Sequence, residues 1–108
     1  MNDEVIMAIS SFPSPEVARQ IGTDLVERQY AACIQLLPGA ESIYRWEAKV
    51  CREPETIALI KTTRAALPGL TDALRALHPY ECPELLVFPA DGGLPAYLDW
   101  VAQSVQGG

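Results

Sequence analysis

The segment Cys33–Thr63, CIQLLPGAESIYRWEAKVCREPETIALIKTT, constrains this chain more than any other, because it reads as two long strands folded back on each other. Period-two alternation sets Ile43, Arg45 and Glu47 on one face against Tyr44 and Trp46 on the other. The run Thr56-Ile57-Ala58-Leu59-Ile60 is rich in β-branched residues, so both arms prefer strand. Glu47-Ala48-Lys49 is the only short polar break between them, which puts the reversal there. Pro38-Gly39 cannot sit in a regular central ladder, so the first arm must bulge or bend at that point. A two-stranded ribbon of this length is not stable alone in water, and this one carries large apolar groups on both faces. Something has to cover it, and the expected cover is another copy of the chain.

The flanking segments supply the rest of a layered fold. Val5-Ile6-Met7-Ala8-Ile9 is apolar without alternation, as in a strand buried on both faces in the middle of a sheet. Ser14-Pro15-Glu16 follows as an N-cap, a proline at the first helical position and an acid in the first turn. Val17, Ala18, Ile21 and Leu25 mark one face of that helix, which should end near Gln29 to Ala31. Beyond Thr63, Leu67, Leu70, Leu74 and Leu77 recur at helical spacing, and Pro79 stops the pattern at His78. Leu85-Leu86-Val87-Phe88 is a short strand ended by Pro89, and Asp91-Gly92-Gly93 is a turn. A last helix starts near Pro95 with Tyr97, Leu98 and Val101 on its apolar side, and the Gly107-Gly108 end has nothing to hold it.

The order is strand, helix, strand, strand, helix, strand, with an added C-terminal helix. Two right-handed crossovers would place both inner helices on one face of a four-stranded antiparallel sheet, an α+β, ferredoxin-like βαββαβ arrangement. The 108 residues are expected to form a single domain spanning the whole chain. Eight Lys and Arg against fourteen Asp and Glu leave a net charge of −6. Without a basic cluster to meet successive phosphates, nucleic acid is not an expected partner. The acidic opening lacks the positive charge of a secretory signal, and no apolar run approaches the roughly 18 residues of a spanning helix, so a cytoplasmic protein with no membrane association is expected. Three cysteines without paired spacing then read as free thiols.

Several short motifs in fixed order narrow this further: Ala31-Ala32-Cys33, Leu37-Pro38-Gly39, Ser42-Ile43-Tyr44-Arg45-Trp46, Ile60-Lys61-Thr62, His78-Pro79-Tyr80, Pro83-Glu84 and Tyr97-Leu98-Asp99-Trp100. Over nearly its whole length the chain resembles the CutA divalent-cation tolerance family. The resemblance implies a compact homotrimer in which the long hairpin of each subunit joins the sheets of its neighbours, and a role in tolerance of copper and other divalent metals. It also implies copper ligands at positions that here read Ser10, Leu77 and His78, of which only His78 is a good transition-metal donor. A substitute metal site could draw on His78, Glu81 and Cys82, whose thiolate suits copper, with no cofactor required for folding. The plainer role of a histidine at a helix end is to satisfy the last carbonyls or meet the helix dipole. Cys33 reads as a small core residue and Cys51 as the exposed, reactive thiol.

The resemblance further draws Trp46, Lys61, Tyr80 and Glu84 towards clefts between subunits. A lysine and a carboxylate with aromatic walls could hold a small anionic or zwitterionic ligand, or could close an intersubunit salt bridge. The architecture is also similar to that of the trimeric PII signalling proteins, which offers a second function class: a ligand sensor that acts on a protein partner, with an indirect metal phenotype. No Ser-His-Asp set, phosphate-cradling glycine loop or repeated His or Cys spacing is present, so no catalytic residues and no enzyme are expected. At the hairpin tip the family often has glycine where this chain has Ala48. An alanine in a tight two-residue reversal must take positive φ, at a cost on the order of 1 kcal/mol.

Overall fold

A computed structural model describes residues 4–106. The Gly107-Gly108 end, expected to be untethered, lies outside them. Seven elements follow one another: β1 (Val5–Phe12), α1 (Pro15–Glu27), β2 (Cys33–Trp46), β3 (Lys49–Thr63), α2 (Leu67–Leu77), β4 (Leu86–Pro89) and α3 (Pro95–Gln103). The strands form one sheet in the order β2-β3-β1-β4, with every neighbouring pair antiparallel. This is the ferredoxin-like βαββαβ arrangement with a long β2-β3 hairpin and an added C-terminal helix.

Helix α1 forms where its signals sit. The Ser14 side chain accepts from the Val17 N–H at 3.2 Å, and Pro15 opens the helix with a φ already suited to it. Its end is earlier than the sequence suggested, because Gln29 turns into the left-handed region at φ 64°. The Tyr30 N–H then bonds back to the Leu25 carbonyl and the Gln29 N–H to Val26, closing a Schellman cap without glycine. Helix α2 stops at His78, which is extended at φ −73°, ψ 136°, as a residue before proline prefers.

Ala18, Ile21 and Leu25 from α1 and Leu70, Ala73 and Leu74 from α2 pack on Ala8, Phe12, Ala58 and Ile60 of the sheet. Removing Phe12, Leu25, Leu70 and Leu74 from water contributes about 1.5–3 kcal/mol each. Leu77, expected on this face, is the last residue of α2 and is 41% exposed instead. Val101 of helix α3 and Val105, just beyond its end, pack with Val5, Ala32 and Ala66. Its other side shows Tyr97 and Trp100 to solvent, so Tyr97 is not on the buried face with Val101.

The hairpin carries its predicted irregularities. Ladder pairs run Leu37↔Ile57 and then Ala40↔Glu55, so Pro38 and Gly39 together oppose Thr56 in a bulge, with Gly39 at φ 84°. Trp46↔Lys49 closes the far end through Glu47 at φ 49° and Ala48 at φ 66°. Both central residues are left-handed, the pattern of a type I′ turn, so Glu47 belongs to the reversal and not to the face shared by Ile43 and Arg45. Towards its tip the ribbon is largely uncovered by the described residues: Ile43, Trp46 and Val50 are each at least 60% exposed.

Candidate functional site

The sheet gathers its polar side chains at the end of β1. Ser10 and Ser11 are buried there beneath the connection between α2 and β4. The Ser10 hydroxyl donates to the Glu84 carbonyl at 2.8 Å, and that of Ser11 to the Glu84 carboxylate at 3.2 Å. His78 stacks on Phe12, with ring centroids 4.8 Å apart, and reaches the Ser11 carbonyl through Nε2 at 2.7 Å. Its other nitrogen, Nδ1, accepts from the Tyr80 N–H at 3.1 Å. An Nδ1 that accepts leaves the proton on Nε2, so this neutral tautomer donates to Ser11 and both ring nitrogens are in use. His78 thus ties β1 to the connection, where the sequence suggested a tie to the last carbonyls of α2.

Tyr80 extends this line to the hairpin. Its hydroxyl donates to Glu55 Oε2 at 2.6 Å, while Ser42 donates to Oε1 of the same carboxylate. Partial burial, and then the Glu55 carboxylate, hold the Tyr80 hydroxyl well above its ordinary pKa, since each disfavours a tyrosinate. Glu55, Ser42 and Ser11 were not singled out in the sequence. Only the strand register and the bulge bring them to Tyr80 and Glu84, and no local motif signals it.

The residues considered for a metal share one connection without converging. Among the described residues, no group of three or more His, Cys, Asp and Glu side chains is placed to hold an ion. Glu81 and Cys82 are exposed beside His78, and His78 would have to release Ser11 or Tyr80 to ligate. Cys82, not Cys51, is the exposed thiol of the three; Cys51 is half-buried opposite Tyr44. Cys33 is likewise half-buried and not part of the core, because β2 is an edge strand and Cys33 opens it across from Lys61.

The four residues considered for a ligand cleft are spread over the molecule. Tyr80 and Glu84 lie together at the end of β1. Lys61 pairs with Met7 further along the sheet, where its amine donates to Gln35 and forms no ion pair among the described residues. Trp46 stands at the hairpin tip, 60% exposed. Lys49 is its ladder partner, and Lys61 lies twelve residue steps further along β3, about 40 Å at strand rise. Trp46 and Lys61 cannot meet within one subunit.

The model of the CutA1 divalent ion tolerance protein family matches residues 6–104. The chain belongs to the CutA1 family. The divalent-cation tolerance protein CutA of Thermus thermophilus is 43% identical over 94% of this chain and 97% of its own length. Protein CutA of Mus musculus is 39% identical over 92% of this chain, which spans 56% of that relative. Among solved structures, the Thermus thermophilus protein superposes with a TM-score of 0.92 at 42% identity, covering 94% of this chain and 98% of that one. CutA1 from Oryza sativa superposes at 0.95 with 32% identity, covering 99% and 98%. The fold of this chain thus matches that of solved CutA1 structures, and the matching family is one of divalent-ion tolerance. No helix among the described residues is long and apolar enough to cross a membrane.

Proposed function

We propose that this CutA1 chain acts as a homotrimer in divalent-cation tolerance, binding copper or a similar divalent ion directly and contributing to the cytoplasmic response to metal ions, with no catalytic chemistry of its own. The uncovered ribbon carries the reading of assembly: a hairpin that shows Ile43, Trp46 and Val50 on an otherwise closed fold needs neighbours to cover it. In this reading the metal is met on the α2–β4 connection by the Cys82 thiolate and the Glu81 carboxylate. His78 joins by giving up one hydrogen bond, a loss of about 1 kcal/mol that a metal–imidazole bond offsets. The packed core gives folding without any ion.

Copper titration of the native protein by calorimetry tests this. Cys82→Ser and His78→Ala should each weaken binding by roughly tenfold or more. Parental affinity in both variants would place the ion elsewhere.

One observation favours a second reading. Among the described residues Lys61 has only a neutral partner, on a half-open sheet face, and the Trp46 that could wall it must come from another copy. A small anionic ligand would fit such an intersubunit cleft, with Tyr80 and Glu84 at its margin, as in a PII-like sensor that signals to a protein partner. Native mass spectrometry of the untagged protein separates the two readings, because a copurifying metal supports the first and a copurifying organic anion the second.

A further inference from the structure

The bulge at Pro38-Gly39 is a hinge by construction. Two residues oppose one there, Gly39 is left-handed, and nothing lies within 4 Å of where its side chain would be. Beyond it the ribbon touches little of its own chain, so two ladder strands alone would leave its direction loosely set. One line of side chains crosses this hinge. Glu55 forms the first ladder pair past the bulge, with Ala40, and its carboxylate takes Ser42 from the ribbon and Tyr80 from the α2–β4 connection. Tyr80 is itself held by His78, through its N–H and by a ring contact at 4.6 Å, and His78 is anchored on Ser11 and Phe12 of the central strand.

We propose that the Tyr80–Glu55 hydrogen bond is a strap that fixes the angle of the distal hairpin to the sheet, so that Ile43, Trp46 and Val50 are aimed before a second copy arrives. The bond joins a neutral hydroxyl to a carboxylate, a strong type, in a partly dry setting. Fixing the ribbon in advance removes an ordering cost from association, so the strap acts on assembly more than on the fold of the subunit. Tyr80 and Glu55 are then positioning residues for the interface, and this consequence rests on the homotrimer reading above.

Tyr80→Phe removes the hydroxyl and leaves the His78 contacts in place. Refolding from denaturant, followed by circular dichroism for the subunit and light scattering for assembly, should show an unchanged first phase and a several-fold slower second-order phase. Ser42→Ala cuts the other bond to Glu55, which lies within the ribbon, and should assemble at the parental rate. Equal assembly rates for the parent and Tyr80→Phe, an equal loss in Ser42→Ala, or a matching slowdown in subunit folding would each overturn the strap. If light scattering finds a monomer at every concentration, the homotrimer reading fails and the strap is read differently. With Trp100→Phe leaving Trp46 as the only tryptophan, Tyr80→Phe must then shorten the anisotropy decay of the tip, and an unchanged decay would end the proposal.

Discussion

Gln29, Glu47 and Ala48 are the residues other than glycine with left-handed backbone among those described, and their surroundings differ. Gln29 is held by the Schellman bonds that end α1, and Gln106 adds a bond from its own N–H to the Gln29 carbonyl at 2.8 Å. Among the described residues, Glu47 and Ala48 are held by the closing ladder pair of the hairpin alone. The positive φ expected of Ala48 is present, and it has a partner in strain at Glu47. Since L-residues in this region cost about 1–2 kcal/mol each, Ala48→Gly should stabilise the protein by about 1 kcal/mol, less the greater freedom glycine gives the unfolded chain. Chemical denaturation measures it; a stability equal to or below the parent's would mean the turn has adapted to alanine.

At the scale of an element, α2 shows how a tertiary contact overrides propensity. Gly69 lies in its first turn, where alanine would ordinarily add about 1 kcal/mol of helix stability. A Cβ there would stand 2.5 Å from Cε1 and 2.8 Å from Cδ1 of Tyr30. Tyr30 packs on the core between α1 and β2, and its carbonyl accepts from the buried Thr62 hydroxyl, so the ring has little room to withdraw. Overpacking of this kind costs about 1–3 kcal/mol, which outweighs the propensity gain. Gly69→Ala should therefore lower the stability by about 1 kcal/mol net, read as a lower denaturant midpoint with an unchanged slope. A raised midpoint would show that Tyr30 moves freely.

For the molecule as a whole, the long dimension of 45 Å against 25 and 22 Å comes from the ribbon standing off the sheet. Ile43 is 62% exposed within one chain, so a charge there disturbs no packing of the subunit. In an assembly that covers the ribbon, the same charge would be buried without a partner, at a cost of several kcal/mol. Ile43→Asp should keep its circular dichroism and lose its oligomeric mass in light scattering. A variant with the parental mass would mean that this face of the hairpin stays in water.

Wherever neighbours in sequence cooperate, the chain could be read directly. Ser14-Pro15-Glu16 starts a helix, Pro79 ends one, Pro38-Gly39 forces a bulge and β-branched alternation makes strands, because each acts through its own backbone within a few residues. Those elements in that order already imply the sheet, its uncovered ribbon and, through the motifs strung along it, the family. Distance in sequence hid the rest. His78 meets Ser11 and Glu55 meets Tyr80 only once β1 has been laid beside β3 and the α2–β4 connection folded over its end. No pattern of residue types could assign the histidine tautomer, the shared carboxylate at the hinge, or the 40 Å that keeps Trp46 from Lys61. Each is set by which strands pair and in what register, and register is decided by burial of the whole sheet at once.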